Sequence, residues 1–308
     1  MYKPKLARLA RHIPSALRIG GTRRAYEAAV RYGEIPIYDS YRYIQEYFNK
    51  RFFYASYGHR LKKFKDSHKG QRCFIIGNGP SIKHQDLTRL KDEISFVVNW
   101  FALHEQYQDI NPTYYCISTR EFFRDGDAQL NALNSKLYRL LDDKTGSAVK
   151  FLNYHAKPYV EENGLLPGHQ IYYLNHAHYT LVSRQGISPD VTRAVHHGNT
   201  VIIDFCLHLA LYMGFSKVYL LGCDCDISFQ NSGDGSSHFH PDNPEWGTYK
   251  KLPPGGDPQK HSDSWYNTIT RDYAIVKETF EHYGRKVYNA GSGGRLEVFP
   301  RVNYDELF

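Results

Sequence analysis

Long apolar runs are missing from this chain. No stretch of about 18 consecutive apolar residues occurs in its 308 residues, so no transmembrane helix is expected. The first 24 residues lack the apolar centre of a secretory signal. They are Arg-rich and free of acids, which suits a transit peptide or an amphipathic helix resting on anionic lipid, on a partner or on the protein itself. No CxxC pair is present. The five cysteines, at 73, 116, 206, 223 and 225, are odd in number, and three sit inside apolar runs. That excludes a disulfide framework and points to a reducing, cytoplasmic setting. Neither GxGxxG nor a GK[ST] phosphate loop occurs, and no internal repeat or low-complexity tract is visible.

What is present is an uneven charge. Residues 1–70 hold 16 Lys/Arg against 5 Asp/Glu, a net +11, whereas the remainder, with 23 against 27, is −4. The basicity therefore belongs to an N-terminal arm. A body of mildly negative charge argues against a dedicated nucleic-acid binder. The aromatic share of 15% includes 26 Tyr, which suits sugar or base sites as well as cores and interfaces.

Residues 1–69 read as a basic, Tyr-rich helical accessory region, with amphipathic helices at Lys5 to Leu17 and Tyr41 to Lys63. A core spanning 70–308 follows. Buried strands are expected at Cys73 to Ile76, Ser95 to Asn99, Thr113 to Ile117, Lys217 to Leu221 and Lys286 to Asn289, with further candidates at Phe151 to Tyr154 and Gln170 to Leu174. Helices are expected at Thr200 to Met213, capped by Gly214, and at Asn267 to Tyr283. A long polar loop fills about 222–262. Alternating strands and helices predict an α/β fold: a mostly parallel sheet with helices on both faces, which the family resemblance given below implies is Rossmann-like.

Three constellations carry candidate chemistry. In Cys73-Phe74-Ile75-Ile76-Gly77-Asn78-Gly79-Pro80-Ser81 a strand runs into glycines. Gly77 and Gly79 let backbone approach a ligand, and N–H groups at such a turn favour anions. A plain tight turn would account for the same spacing. In Leu220-Leu221-Gly222-Cys223-Asp224-Cys225-Asp226 a second strand ends in acids. Asp224 and Asp226 would hold a divalent cation such as Mg or Mn, or accept hydrogen bonds from a ribose or from neighbouring backbone. Histidines concentrate at His238-Phe239-His240 and His261-Ser262, with His196-His197 ahead of Gly198-Asn199-Thr200. Histidine is the usual acid or base near neutral pH, although most of the 16 must be bystanders.

Gly77-Asn78-Gly79-Pro80-Ser81-Ile82, Asp86-Leu87 and the strand ending at Asn99 resemble two related groups. One is the DUF115 group with its 6-hydroxymethylpterin diphosphokinase-like proteins. The other is the bacterial CMP-sialic acid sialyltransferases of glycosyltransferase family 42. The first resemblance runs from about residue 60 onward and includes Tyr219-Leu220-Leu221-Gly222-Cys223-Asp224, Ser237-His238-Phe239 and Tyr288-Asn289-Ala290 to Phe299-Pro300-Arg301. The second rests on the glycine motif, Asn99, Gly222-x-Asp224, Gly235-Ser236-Ser237 and His261-Ser262. It implies that Asn78 and Asn99 contact a CMP-sugar donor, that His261 is the general base, and that no cofactor is needed. It places Asn199 and Thr200 near the nucleotide. Where the family carries two phosphate-binding tyrosines, this chain has Asp226 and His238; the carboxylate there calls for a metal, for Asp226 to point elsewhere, or for a different donor. The implied activity is inverting transfer of a CMP-activated sugar to a glycan or glycolipid acceptor, with residues 1–69 touching anionic membrane at its inner face. The tyrosine excess also permits a homo-oligomer. The alternatives are an ATP-dependent diphosphokinase acting on a small hydroxymethyl compound and a non-catalytic nucleotide-binding protein.

Overall fold

A computed structural model describes residues 47–225, 238–240 and 258–308. Most of the basic arm, together with Asp226 and the Gly235-Ser236-Ser237 motif, lies outside the described residues. The chain divides into two units, Met1–Phe52 and Phe53–Phe308. Residues 53–69 therefore belong with the sheet, earlier than the start at Gly70 that the sequence suggests. The reason is burial: Phe53, Tyr57, Leu61 and Phe64 all sit in the core. Gly58–Phe64, within the expected helix Tyr41 to Lys63, is a 3₁₀ segment.

Seven strands form one parallel sheet. They are β1 (Arg72–Ile76), β2 (Ser95–Val98), β3 (Tyr114–Ile117), β4 (Val149–Asn153), β5 (Ile171–Leu174), β8 (Lys217–Leu221) and β9 (Lys286–Asn289). Their spatial order is β5-β4-β3-β2-β1-β8-β9, and every neighbouring pair is parallel. This is a Rossmann-like α/β fold with helices packed around the sheet. The central strands are buried on both faces, as Cys73 to Ile76 and Phe96 to Val98 illustrate, which is why they read as continuous apolar runs in sequence. The chain leaves β1 toward β2 on one side and leaves β8 toward β9 on the other. The crevice between β1 and β8 is thus the switch point of the sheet, where open α/β folds bind ligands.

Beside this sheet lies a two-stranded parallel pair, β6 (His176–Leu181) with β7 (Val195–His197). Among the helices, α1 spans Ala128–Lys144. The expected helix at Thr200 to Met213 begins as a π-helical turn, Ile202–Leu207, and continues as α2 (His208–Met213). Gly214, at φ +93°, closes it by donating to Ala210 O and Leu211 O, as a C-cap glycine does. The last helix, α3 (Pro258–His282), starts earlier than Asn267. His261 therefore lies on its first turns and not in a loop reaching Ser262. No helix among the described residues is long and apolar enough to cross a membrane.

Candidate functional site

At the carboxyl ends of β1 and β8 the two exit loops lie backbone against backbone. Gly77 N–H donates to Leu221 O and Gly79 N–H to Gly222 O, both at 2.8 Å. A Cβ on Gly77 would stand 2.4 Å from Gly222 O, and one on Gly79 2.6 Å from both Gly222 O and Asp224 Oδ2. The glycines thus answer first to the neighbouring loop. Asp224, almost fully buried, accepts the Ser81 N–H at 2.8 Å and the Ser81 hydroxyl. Of the roles open to Asp224 in sequence, bonding to neighbouring backbone is the one the geometry displays. Three N–H groups of the glycine loop are consequently spent inside the protein, so the loop is a poorer anion cradle than its glycines suggest. The helix that follows, Pro80–His84, is a short 3₁₀ segment and adds no anion site.

The Asp224–Ser81 link gives a direct expectation. Asp224→Ala should lower stability by about 2 kcal/mol, because it strands two buried donors. Asp224→Asn should recover part of that loss. Urea unfolding of the two variants checks this, and equal stability of Asp224→Ala and the parent chain would show that the link contributes nothing.

Above these loops opens a cleft of about 610 Å³. Gly77, Asn78 and Gly79 line it; Pro80 and Ser81 do not, since Ser81 is turned to Asp224. Asn99, Asn199, Thr200, Asp224 and His238 also line it. Asn78 Nδ2 donates to Val98 O at 3.4 Å, which fixes the orientation of the amide. Its Oδ1, like Oδ1 of Asn99, is buried with no hydrogen-bond partner. Asn99 has φ +48° and Cys225 φ +51°, a left-handed backbone that non-glycine residues adopt at some cost and that gathers at functional sites. Asn199 donates its amide to Asp272 on α3. Thr200 Oγ1 accepts Ile203 N–H at 3.3 Å and so caps the π-helical turn. Phe239 N–H donates to Asn78 O at 2.7 Å, anchoring His238 beside the glycine loop. The His238 ring stacks on His240, with centroids 5.1 Å apart. His261 is placed by its backbone on α3, and its side chain is outside what the structure describes.

Sequence reasoning missed the opposite wall. Ser118, Thr119 and Arg120 follow β3 and reach the cleft, as do Trp265 and Tyr273 from α3. Burial, with the charge of Arg120 added, pushes His155 down to about 4. At the end of β7, His197 Nδ1 stands 3.4 Å from Asp204 Oδ1 and 3.1 Å from His176 Nε2, while His176 Nε2 is 3.2 Å from the same oxygen. Gly198 N–H donates to that oxygen too, at 2.7 Å. Burial opposes ionisation of Asp204, yet the combined hydrogen bonds and charges of His176 and His197 hold its carboxyl at about 2. The hydrogen bond to Asp204 in turn lifts His197 above the ordinary histidine value, against its desolvation. Asp272, close by, is raised by burial. One sequence signal did exist: Asp204 is a carboxylate inside the apolar run Val201-Ile202-Ile203-Asp204-Phe205-Cys206, and a buried charge requires partners.

No protein-family model matches this chain, and no curated protein matches it either.

Proposed function

We propose that the cleft binds a CMP-activated sugar and transfers the sugar to a hydroxyl of a glycan or glycolipid acceptor. The observation that carries this is the pair of buried, unpartnered amide oxygens of Asn78 and Asn99 at the carboxyl ends of β1 and β2. A buried acceptor without a donor costs about 1–3 kcal/mol, and a ligand bearing donors removes that cost. Ribose hydroxyls and the exocyclic amine of cytosine are such donors. The position supports the same reading, because the cleft lies at the switch point of a parallel sheet.

The roles then follow from chemistry. With three loop N–H groups committed elsewhere, the donor's phosphate is met by the Arg120 guanidinium and by His238. Charge placed where the leaving group develops its own contributes most to such a transfer. The acceptor oxygen attacks the anomeric carbon as His261 takes its proton. The bond from that carbon to the phosphate oxygen breaks, CMP leaves with the electron pair, and the configuration inverts. The basic arm ahead of Phe53 would hold the enzyme at anionic lipid where glycolipid acceptors reside.

Thermal-shift titration with CMP, UDP, GDP and ATP, each with and without Mg²⁺, tests the assignment. CMP should raise Tm without metal, and Asn78→Ala or Asn99→Ala should each weaken CMP binding about tenfold. Stabilisation by ATP with Mg²⁺ alone would move the reading to phosphoryl transfer. Unchanged CMP affinity in both variants would place the nucleotide elsewhere.

A further inference from the structure

Three elements deliver three donor atoms to one point on the cleft wall. β6 supplies His176, the end of β7 supplies His197, and the π-helical turn supplies Asp204. The edges of the triangle they form are 3.1, 3.2 and 3.4 Å. Among the described residues, this is the group of His, Cys, Asp and Glu side chains close enough to share an ion.

With Asp204 ionised, hydrogen bonds can cover two edges of that triangle but not all three. If both imidazole nitrogens carry hydrogen and aim at Asp204 Oδ1, two N–H donors confront each other across 3.1 Å. If only one carries hydrogen, one of the three contacts is left lone pair against lone pair. A single cation facing all three lone pairs resolves every contact at once. The edges also have the right length. Metal–nitrogen and metal–oxygen bonds of about 2.0–2.1 Å place neighbouring ligands about 3.0 Å apart in an octahedron and about 3.4 Å apart in a tetrahedron.

We infer that His176, His197 and Asp204 form a binding site for a divalent transition-metal ion of the zinc, cobalt and iron(II) class. Two imidazoles with one carboxylate are the donor set such ions prefer over Mg²⁺ or Ca²⁺. The supporting shell is in place. Gly198 N–H fixes the Asp204 carboxylate at 2.7 Å. Orientation of the ligands by outer partners of this kind is usual at metal sites. Asp204 lies on the π-helical turn, and turns of this kind are frequent at functional sites. All three ligands line the cleft, so an ion held there would be reachable from it. The site differs from the one suggested by Asp224 and Asp226, because Asp224 is bonded to Ser81.

The test uses the full chain, stripped with a chelator and then dialysed. Titration with Zn²⁺ by calorimetry, and with Co²⁺ by its visible d–d absorption, should each show one ion per chain. His197→Ala, at a half-exposed position where truncation is tolerated, should weaken both at least about 100-fold. Asp204→Asn should do the same, and Asp226→Asn should leave both unchanged. Absence of saturable Zn²⁺ and Co²⁺ binding in the stripped protein would overturn the inference. So would undiminished binding in His197→Ala, or loss of binding in Asp226→Asn. No nucleotide is involved, so this result and the nucleotide titration succeed or fail separately.

Discussion

Gly77→Ala should destabilise the protein by about 3 kcal/mol and lower Tm by roughly 5 °C. The backbone angle of Gly77 is not the cause, since Gly77 is not among the positive-φ glycines. The cause is space. Its Cβ would lie 2.4 Å from Gly222 O and 3.1 Å from Gly222 C, both backbone atoms that a rotamer change cannot move. Gly222 has no room to retreat, because its own Cβ position is 2.6 Å from Ile82 Cγ2. Separating the loops would stretch the 2.8 Å bonds Gly77 N–Leu221 O and Gly79 N–Gly222 O together. Gly146→Ala is the matched control, with nothing within 4 Å of its Cβ position. It should be neutral or stabilising by up to about 1 kcal/mol, through the unfolded chain. Thermal melts of the two variants decide the matter: equal melting temperatures would mean that the exit loops of β1 and β8 do not touch as described.

The second large effect is acid lability centred on His208. This ring is fully buried and packed between β7 and the π-helical turn. Its Nε2 accepts His196 N–H at 3.0 Å, so the proton sits on Nδ1, which donates to Ile203 O at 2.8 Å. Both nitrogens are satisfied only in the neutral form. Burial, reinforced by His196, pushes its pKa down to about 3. The unfolded chain, with an ordinary histidine near 6.5, binds the extra proton across that interval. Stability from this group is therefore complete above about pH 6.5 and is lost as pH falls toward about 3. A depression of this size corresponds to roughly 5 kcal/mol. His155, at about 4, acts in the same direction, so the comparison is between the parent chain and His208→Gln. Urea midpoints taken from pH 7 to pH 4 in EDTA should fall less steeply for His208→Gln. Parallel curves would rule out a neutral buried His208.

The sheet was legible where burial is two-sided. β1, β2, β3, β8 and β9 are short apolar runs bounded by turn residues, and their expected limits lie within a residue of those observed. The glycine loop was legible as a close backbone approach, but its partner was not. Nothing in Gly77-Asn78-Gly79 says that the approaching group is Gly222 rather than a ligand. β6 and β7 escaped notice because their signal is weak: one is three residues long, and both carry histidines where a strand usually shows apolar residues. The His176–His197–Asp204 group escaped for the same reason. Its members sit on three elements whose meeting depends on the β6–β7 pairing, and no fixed spacing announces them. α1 has a mostly polar sequence, and only Leu133, Asn134, Leu137 and Leu141 mark its buried face.

The strand order has a consequence for biosynthesis. β1 is made early, and on one side it pairs with β2, which follows closely. Its other side pairs with β8, register Arg72↔Lys217 through Ile76↔Leu221, and β8 leaves the ribosome much later. Until then Cys73 to Ile76 presents a row of unsatisfied N–H and C=O groups on an apolar strand, the kind of edge that recruits wrong partners. The glycine loop is in the same position. Ser81 waits for Asp224, and Ser292 Oγ later donates to Ser81 O at 2.9 Å. Arg295 N–H then closes on Asp224 O at 2.7 Å. The cleft can thus be completed only after β8 and the segment around Ser292 and Arg295 have been synthesised. A nascent chain halted before β8 holds the β1–β2 pairing but no site, and it is at that stage that a chaperone has the most surface to shield.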